Sequence, residues 1–486
     1  MAMTQKQKIL SMLAVTASLA AALGSYAWFG VYQKGEAEAK AKDQADTLFS
    51  FKKDDVKQFV VTAKGETTTV VRDGTGKDAG WRIASPIQTD AEKLSVDALV
   101  DKVAGLKRKR SAGTPSDLAQ FGLGKPRVQI VLTLESGKTE ELDVGDDNPF
   151  DGTIFAKRGG DGEVEICEGG LKYPLEKGLF DLRDKRVFDF DDAQLQKLDV
   201  ATPGLAYGLE KSGEEWKLDA PIQAKADAQK VTQISSALKN LRATRFASEQ
   251  ASEADLQRFG LDHPGYTVQL TLGKEMAEKT LILSAQKEGG QEHVYAKQAS
   301  QAWVAEVPST ILKDLDASVM DLRDKTILSF KQADARGLAF TAAKGTFTVE
   351  RKQHSADGGV SQDDWTITSP TLGPAKRWKL SSLLSTLETL KGASIVSEKA
   401  TAADLANDGL DKPVKTATVF GDGGKELAKL LVGKTAGSKV YAKSAADDRV
   451  FEVDSYRFSQ LPNDVSDLAE APPAGKDGGA TTTAKR

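Results

Sequence analysis

The phrase Trp81-Arg82-Ile83-Ala84-Ser85-Pro86 decides the fold of this 486-residue chain, because it occurs three times. The other copies read Trp216-Lys217-Leu218-Asp219-Ala220-Pro221 and Trp365-Thr366-Ile367-Thr368-Ser369-Pro370. Self-similarity at a long and nearly constant spacing is the sequence signature of tandem structural units. The chain is therefore predicted to contain three copies of one module.

A helix is predicted after the proline of each phrase. Its apolar residues recur with the spacing i, i+3, i+7 and i+10, which places them on one stripe of an amphipathic helix that covers a sheet. The stripe residues are Val96, Leu99, Val103 and Leu106 in copy one, Val231, Ile234, Leu238 and Leu241 in copy two, and Leu380, Leu383, Leu387 and Leu390 in copy three.

A second, shorter helix is predicted in each copy, with the same start and stop signals in all three. It is predicted to begin at a hydroxyl residue that accepts from the free amides of the first turn, and to end at a glycine with positive φ. The caps are Thr114, Ser252 and Thr401, and the glycines are Gly122, Gly260 and Gly409. Pro115 occupies the first helical position of copy one.

Alternating apolar and polar segments follow, which is typical of antiparallel strands with one buried face. The predicted strands are Val128–Leu134, Tyr266–Leu272 and Thr416–Phe420, and then Ile154–Lys157, Val294–Lys297 and Val440–Lys443. Each module is thus predicted to be α+β, an antiparallel sheet covered by helices.

A further motif lies where one copy meets the next. Asp181-Leu182-Arg183-Asp184-Lys185 closes copy one and Asp321-Leu322-Arg323-Asp324-Lys325 closes copy two, whereas copy three ends Asp467-Leu468-Ala469-Glu470. A motif found where another copy follows is best explained by holding neighbours together, as an ion pair or a helix end. Arg183, Asp184, Arg323 and Asp324 are therefore predicted to be structural residues of the inter-module junction, with both arginines directed to the following module.

The Trp…Pro phrase, the Phe-Gly-Leu helix ends at 121–123 and 259–261, and the Leu-Arg-Asp-Lys junction resemble a bacterial family catalogued as domain of unknown function four-three-four-zero. The resemblance covers roughly residues 47–470. It implies an anchored, exported repeat protein, often encoded beside an ABC transporter permease of the gliding-motility type. Copy three departs from the pattern, because Asp408-Gly409-Leu410 lacks the aromatic residue.

Residues 9–32 carry no charge and are long enough, at ~1.5 Å per residue, to cross a bilayer core of about 30 Å as a helix. They are predicted to be a retained transmembrane anchor, and a cleaved signal peptide is the alternative. Basic residues flank both ends, so orientation rests on position: a span before a long globular region favours export of that region. The protein is thus expected in the inner membrane as a single-pass protein, with its bulk in the periplasm.

The predicted organisation is an anchor over 1–34, a charged helical linker over 35–46, modules over 47–185, 186–325 and 326–470, and a disordered tail over 471–486. The net charge of −4 gives no reason to expect a nucleic-acid partner. Cys167 is the only cysteine, and none of the three histidines is near it in sequence, so no zinc site, other metal or cofactor is expected.

Three segments were candidates for chemistry. Gly433-Lys434-Thr435 is similar to the end of a phosphate loop, but Ala428 stands where that loop requires its first glycine. The acidic cluster Asp143, Asp146, Asp147, Asn148 and Asp151 lacks the spacing of a known calcium loop and is interpreted as a solvated turn. The basic run 107–110 is interpreted as a charged helix end, with contact to anionic headgroups as the alternative.

The sequence contains no recurring catalytic constellation, so catalytic residues are predicted to be none. The leading hypothesis is a membrane-anchored scaffold of the cell envelope, accessory to an ABC transporter complex through the permease in the inner membrane. Two alternatives are a protein that binds an envelope polymer such as peptidoglycan or polysaccharide, and an enzyme with its site in an inter-module cleft.

Overall fold

The structure is a computed structural model that describes residues 46–74, 79–354 and 362–470, together with Trp28. Three nine-stranded antiparallel sheets follow one another along these residues. When the strands of a module are counted along the chain, their order across each sheet is 4-3-2-1-6-7-8-9-5. The α+β class and the three tandem modules are confirmed.

The strands are numbered continuously along the chain. Those of module 1 are β1 (Val56–Ala63), β2 (Glu66–Asp73), β3 (Gly80–Ser85), β4 (Thr89–Asp90), β5 (Arg108–Gly113), β6 (Val128–Leu134), β7 (Thr139–Asp147), β8 (Ile154–Arg158) and β9 (Val164–Cys167). Those of module 2 are β10 (Leu195–Ala201), β11 (Ala206–Ser212), β12 (Glu215–Ala220), β13 (Ala224–Lys225), β14 (Arg245–Ser248), β15 (Tyr266–Leu272), β16 (Ala277–Glu288), β17 (Gln291–Gln298) and β18 (Val304–Val307). Those of module 3 are β19 (Gly337–Ala342), β20 (Gly345–His354), β21 (Gln362–Ser369), β22 (Gly373–Pro374), β23 (Ser394–Ser397), β24 (Lys415–Phe420), β25 (Glu426–Ala436), β26 (Lys439–Ser444) and β27 (Val450–Asp454).

One main helix and at least one short helix accompany each sheet. In module 1 they are α1 (Lys93–Ala104), α2 (Lys172–Leu175) and α3 (Leu179–Leu182). In module 2 they are α4 (Ala228–Lys239), α5 (Glu253–Arg258), α6 (Thr310–Leu315) and α7 (Val319–Leu322), and in module 3 they are α8 (Arg377–Glu388) and α9 (Ala402–Asp408).

The predicted stripe of each main helix is buried in all three modules. In module 1, Val96, Leu99 and Val103 belong to the same apolar core as Phe59 and Ile130 of the sheet. One detail of the prediction is wrong: the fourth stripe residue (Leu106, Leu241 or Leu390) lies beyond the last helical residue. It is nevertheless at most 5% exposed, because the chain turns down onto the core as the helix ends.

The repeated Trp-to-Pro phrase forms the third strand of each sheet. Its tryptophan carbonyl accepts a hydrogen bond from the amide of the alanine just before the main helix, so the strand anchors the approach to that helix. The pairs are Ala91 to Trp81 (3.1 Å), Ala226 to Trp216 (2.9 Å) and Ala375 to Trp365 (3.0 Å). In module 1 the indole also donates to Asp97 of α1 at 2.8 Å, and the Arg72 guanidinium lies 4.3 Å above its ring centroid. The peptide bond before the proline is cis in each copy.

The second helix is confirmed in two copies and wrong in the first. Ser252 and Thr401 cap α5 and α9 through the amides of Asp255 and Asp404, and those carboxylates accept the cap amides in return. In module 1 only a 3₁₀ turn forms, over Ala119–Phe121. The reason is that the Asp117 carboxylate accepts the Ala119 amide at 2.9 Å, so this acid builds a local turn instead of a capping box with Thr114. The three predicted glycines have φ between +67° and +71°.

The interpretation of the basic run as a helix end is also wrong. Helix α1 ends at Ala104, and Arg108 to Arg110 lie on β5, which pairs with β9 at the edge of the sheet. Opposite charges on β9 and in the turn between β7 and β8 account for them, since Arg108 contacts Glu165 at 3.3 Å and Arg110 lies 3.9 Å from Asp151.

The described chain divides into two compact units. The first runs to Arg186 and includes residues 242–245, and the second comprises residues 187–241 and those from Phe246 onward. The predicted span over 9–32, apart from Trp28, the linker before Asp46 and the tail over 471–486 lie outside the described residues. No helix in the described part has the length and apolar character needed to cross a membrane.

Candidate functional site: the joints between modules

The segment that closes each module folds back onto the start of that module's own main helix. Backbone hydrogen bonds make this contact in all three copies, including the one that lacks the arginine. The N-cap amides of Glu92, Asp227 and Lys376 donate to the carbonyls of Leu182 (2.8 Å), Leu322 (2.8 Å) and Leu468 (2.7 Å). Bridges then pair Ala91 with Arg183, Ala226 with Arg323 and Ala375 with Ala469. Because Ala469 makes the same bridge, the backbone contact does not explain the arginine.

The side chains of the Leu-Arg-Asp-Lys motif each make a different kind of contact. The leucine is fully buried in every copy. Asp184 and Asp324 each accept the amide two residues ahead at 2.9 Å, which forms a local turn. Lys185 donates to the Asp181 carbonyl at 3.2 Å, at the end of α3, and its burial lowers the pKa of its ammonium group. Lys325 similarly donates to the Met320 carbonyl of α7.

The turned chain then pairs with the first residues after the main helix of the next module. Arg186 bridges Arg242, and the Ala243 amide donates to the Lys185 carbonyl at 2.8 Å. At the second joint, Thr326 bridges Lys391, and the Gly392 amide donates to the Lys325 carbonyl at 2.9 Å. At the second joint, a short length of chain thus pairs first with its own module and then with the following one, and in the first unit the same stretch pairs with residues 242 and 243.

An ion pair crosses each joint at the same aligned positions. Within the first unit, Arg242 contacts the Glu92 carboxylate, and Glu92 is the N-cap residue of α1. Within the second unit, Lys391 contacts Asp227, the N-cap residue of α4, at 2.8 Å and also Gln229 at 3.0 Å. An acid at the start of one main helix is therefore joined to a base just after the main helix of the next module.

The second joint carries further contacts, made by two arginines. Both terminal nitrogens of Arg323 donate to the two oxygens of Glu398 in module 3, the second pair at 2.8 Å. Arg323 is 8% exposed, so this two-pronged contact is partly desolvated. Arg449 of module 3 donates to the Asp324 carbonyl at 3.1 Å while it is held by Asp447.

Of the predicted junction residues, Arg323 and Asp324 therefore meet residues of the following module. Asp184 forms its turn and contacts Arg186 at 2.6 Å. Arg183 is 2% exposed and bridges Ala91, and the direction of its guanidinium stays a prediction. Sequence reasoning missed Glu92, Asp227, Arg242, Lys391 and Glu398. Comparison of the aligned columns could have found the first four, since the two acids and the two bases occupy equivalent positions.

Protonation of Glu398 should weaken the second joint. The hydrogen bond from Arg323 holds the pKa of Glu398 below its ordinary value of 4.5. A carboxyl group whose pKa falls on folding stabilises the folded state above its unfolded pKa, and this contribution disappears as pH falls through the lowered folded pKa. The stability difference between wild type and Glu398→Gln is expected to be about 1 kcal/mol at pH 7 and to shrink as the pH falls below 4.5. Chemical unfolding of both proteins at neutral and acidic pH checks it, and a difference that did not shrink on acidification would contradict it.

The candidate phosphate loop serves the packing of module 3. The Lys434 ammonium donates to the carbonyls of Asn407 at 2.8 Å and Ala406 at 3.3 Å, and so caps the C-terminal end of α9. A Cβ atom on Gly433 would lie 2.3 Å from the Asp408 carbonyl oxygen, which explains why a glycine stands there.

Replacing Gly433 with alanine should therefore destabilise module 3 by about 1–3 kcal/mol, because the strand and the end of α9 must separate to admit the methyl group. Gly373→Ala in the same module is the matched control, since a Cβ there meets nothing within 4 Å. Thermal melts of both variants compare them. Equal melting temperatures would show that the close approach at Gly433 relaxes without cost.

The acidic cluster of module 1 is largely engaged by its own neighbours. Asp143 contacts Lys157 at 3.1 Å, and Asp147 accepts two hydrogen bonds from Arg127 at 2.8 and 3.0 Å. Asp151 accepts from the Thr153 amide at 3.1 Å. Cys167 is buried, and burial raises the pKa of its thiol to about 12, so the thiol stays protonated at neutral pH.

Two surface pockets were also considered. One, of about 570 Å³, lies in module 2 between the turn at Thr202–Leu205 and residues 316–319. There the Tyr266 hydroxyl donates to Asp316 at 3.0 Å, and burial and this bond raise the pKa of the phenol to about 12. The other, of about 450 Å³, lies in module 3, where Arg336 is held by Asp422 at 2.9 Å. In each pocket at least one polar side chain is thus held by a neighbouring residue.

Repeated α+β modules joined by charged contacts define the class of this protein. The chain belongs to the family described as Domain of unknown function (DUF4340), which matches residues 81–252, 216–362 and 365–473. Each match begins at the tryptophan of the repeated phrase. No curated protein matches the sequence. Among solved structures, a DnaN sliding clamp from Pseudomonas aeruginosa bound to griselimycin aligns over 85% of this chain and 94% of that one at 10% identity. Its TM-score of 0.13 is too low to bear on fold or function.

Proposed function

We propose that this protein is a membrane-anchored scaffold of the cell envelope, accessory to an ABC transporter complex, that works by binding. The proposal rests on what the repeated residues do in the structure. The tryptophan phrase, the capped helices and the closing motif are all engaged in folding a module or joining it to the next. When the residues shared by all copies fold and connect the modules, the remaining surface of each module is free to bind partners, as in other repeat proteins.

The joints support this role because they combine backbone pairing with charge-assisted contacts. Within the second unit, a flexible link between modules 2 and 3 would need neither the ion pair of Asp227 with Lys391 nor the two-pronged contact of Arg323 with Glu398. In the proposed arrangement residues 9–32 hold the chain in the inner membrane, the modules lie in the periplasm, and the transporter permease is the partner.

The proposed topology can be tested with fused reporters. A periplasmic reporter joined after Glu470 is expected to be active, because a long region following an N-terminal span is expected to be exported. The same fusion without residues 1–34 is the control and should be inactive. Activity of a cytoplasmic reporter at that position would reverse the assignment and remove the periplasmic scaffold with it.

A further inference from the structure

The face of module 3 that corresponds to the joint-forming face of module 2 differs from it in charge and polarity. In module 2 this face presents Asp227, Gln229 and Arg323, which receive Lys391 and Glu398 of module 3. The aligned residues of module 3 are Lys376, Trp378 and Ala469. We call the surface formed by Leu372, Lys376, Trp378 and Ala469 the end face.

The end face is apolar and open. Trp378, in the first turn of α8, is 69% exposed, and Leu372, in the turn between β21 and β22, is 80% exposed. The residues aligned with them in module 2 are Gln229 and Gln223, which are polar. Exposed large apolar residues, tryptophan above all, are characteristic of protein contact sites, where aromatic residues supply much of the binding energy.

The charge of the end face disfavours another module of this kind. Arg242 and Lys391 are the bases that meet an N-cap acid across a joint, and the aligned residue of module 1 is also a base, Lys107. In the observed joint, the acid Asp227 faces the base Lys391. If another module docked on the end face in the same way, its base would face Lys376, which is also a base. Like charges set opposite each other at a contact disfavour that partner.

We propose that the end face docks a different protein, one that offers a carboxylate opposite Lys376 and an apolar pocket for Trp378. Compared with module 2, the position and backbone pairing of the face are kept, with the Lys376 amide bonded to Leu468 at 2.7 Å. Its N-cap charge is inverted, and Trp378 stands in place of Gln229. The inference stands on the repeat and does not require the transporter assignment.

The test places the photo-crosslinking amino acid benzoylphenylalanine at position 378 of the full chain, in the cells that express it. Ultraviolet irradiation is expected to give a protein adduct whose crosslinked peptide contains Asp or Glu beside apolar residues. Lys376→Glu should reduce the adduct at least fivefold. Benzoylphenylalanine at Tyr456, which is 65% exposed in the same module, is the matched control and should not give that adduct.

Lys376 also donates to the Asp467 carbonyl at 3.3 Å, so Lys376→Glu could disturb the module itself. A second variant, Leu372→Ser, avoids this and should also reduce the adduct, with thermal melts confirming that both variants are folded. The proposal is overturned by no adduct, by an adduct only with lipid or with another copy of this chain, or by an adduct that neither variant reduces. An adduct with a protein other than the permease would support the docking face, because the inference does not depend on the transporter partner.

Discussion

Replacing Leu387 with alanine is expected to lower the free energy of unfolding of module 3 by about 2–5 kcal/mol. Leu387 is 1% exposed on α8 and belongs to the core that includes Leu338, Val419 and Phe451 of the sheet. Removing three carbons leaves a cavity that the helix and the sheet cannot close without giving up other contacts. Ser385→Ala on the exposed face of the same helix is the control and should change stability by less than about 0.5 kcal/mol.

Hydrogen–deuterium exchange resolves this effect along the chain. Peptides from residues 326–470 should exchange faster in Leu387→Ala than in wild type, whereas the Ser385→Ala protein should match wild type. Equal exchange in the two variants would mean that the main helix does not hold the sheet, and the helix-on-sheet account of the module would fail.

Loss of Arg323 is the second large effect that we expect. Arg323→Ala removes both hydrogen bonds to Glu398 and should lower stability by about 1–3 kcal/mol, because hydrogen bonds to charged groups are stronger than neutral ones. Glu398→Ala and the double variant complete a mutant cycle. If the contact is specific, the double variant should cost less than the sum of the two single variants.

The joint should loosen while the modules stay folded. Small-angle scattering of Arg323→Ala should show a broader distribution of distances, and exchange should rise near residues 322–326 and 391–398. Arg336→Ala is a matched control, since Arg336 makes its ion pair with Asp422 inside module 3 at 2.9 Å. If the two arginine variants gave identical scattering, Arg323 would have no part in orienting the modules.

Patterns that depend on local chemistry could be predicted from the sequence. The helix stripe, the positive-φ glycines and the strands at 128–134 and 266–272 follow from spacing and residue type, and the structure confirms them. The repeat strengthened each of these predictions, since a pattern seen three times is not accidental.

The features that were missed depend on competition between nearby groups or on distant pairing. The 3₁₀ turn of module 1 arises because Asp117 bonds to Ala119 when a capping box was also possible. The placement of Arg108 on an edge strand depends on β9, which lies more than fifty residues further on. Glu398 could not be joined to Arg323 from spacing alone, because the fold brings them together.

The most direct test of the central claim, that this protein is an anchored scaffold for a transporter, is affinity purification of the full chain from detergent-solubilised membranes. The proteins that co-purify should be quantified by mass spectrometry against the same chain lacking residues 1–34. The scaffold account predicts that an ABC transporter permease is enriched at least tenfold and is lost with the anchor. Recovery of the full chain from the membrane fraction without any enriched permease would contradict it.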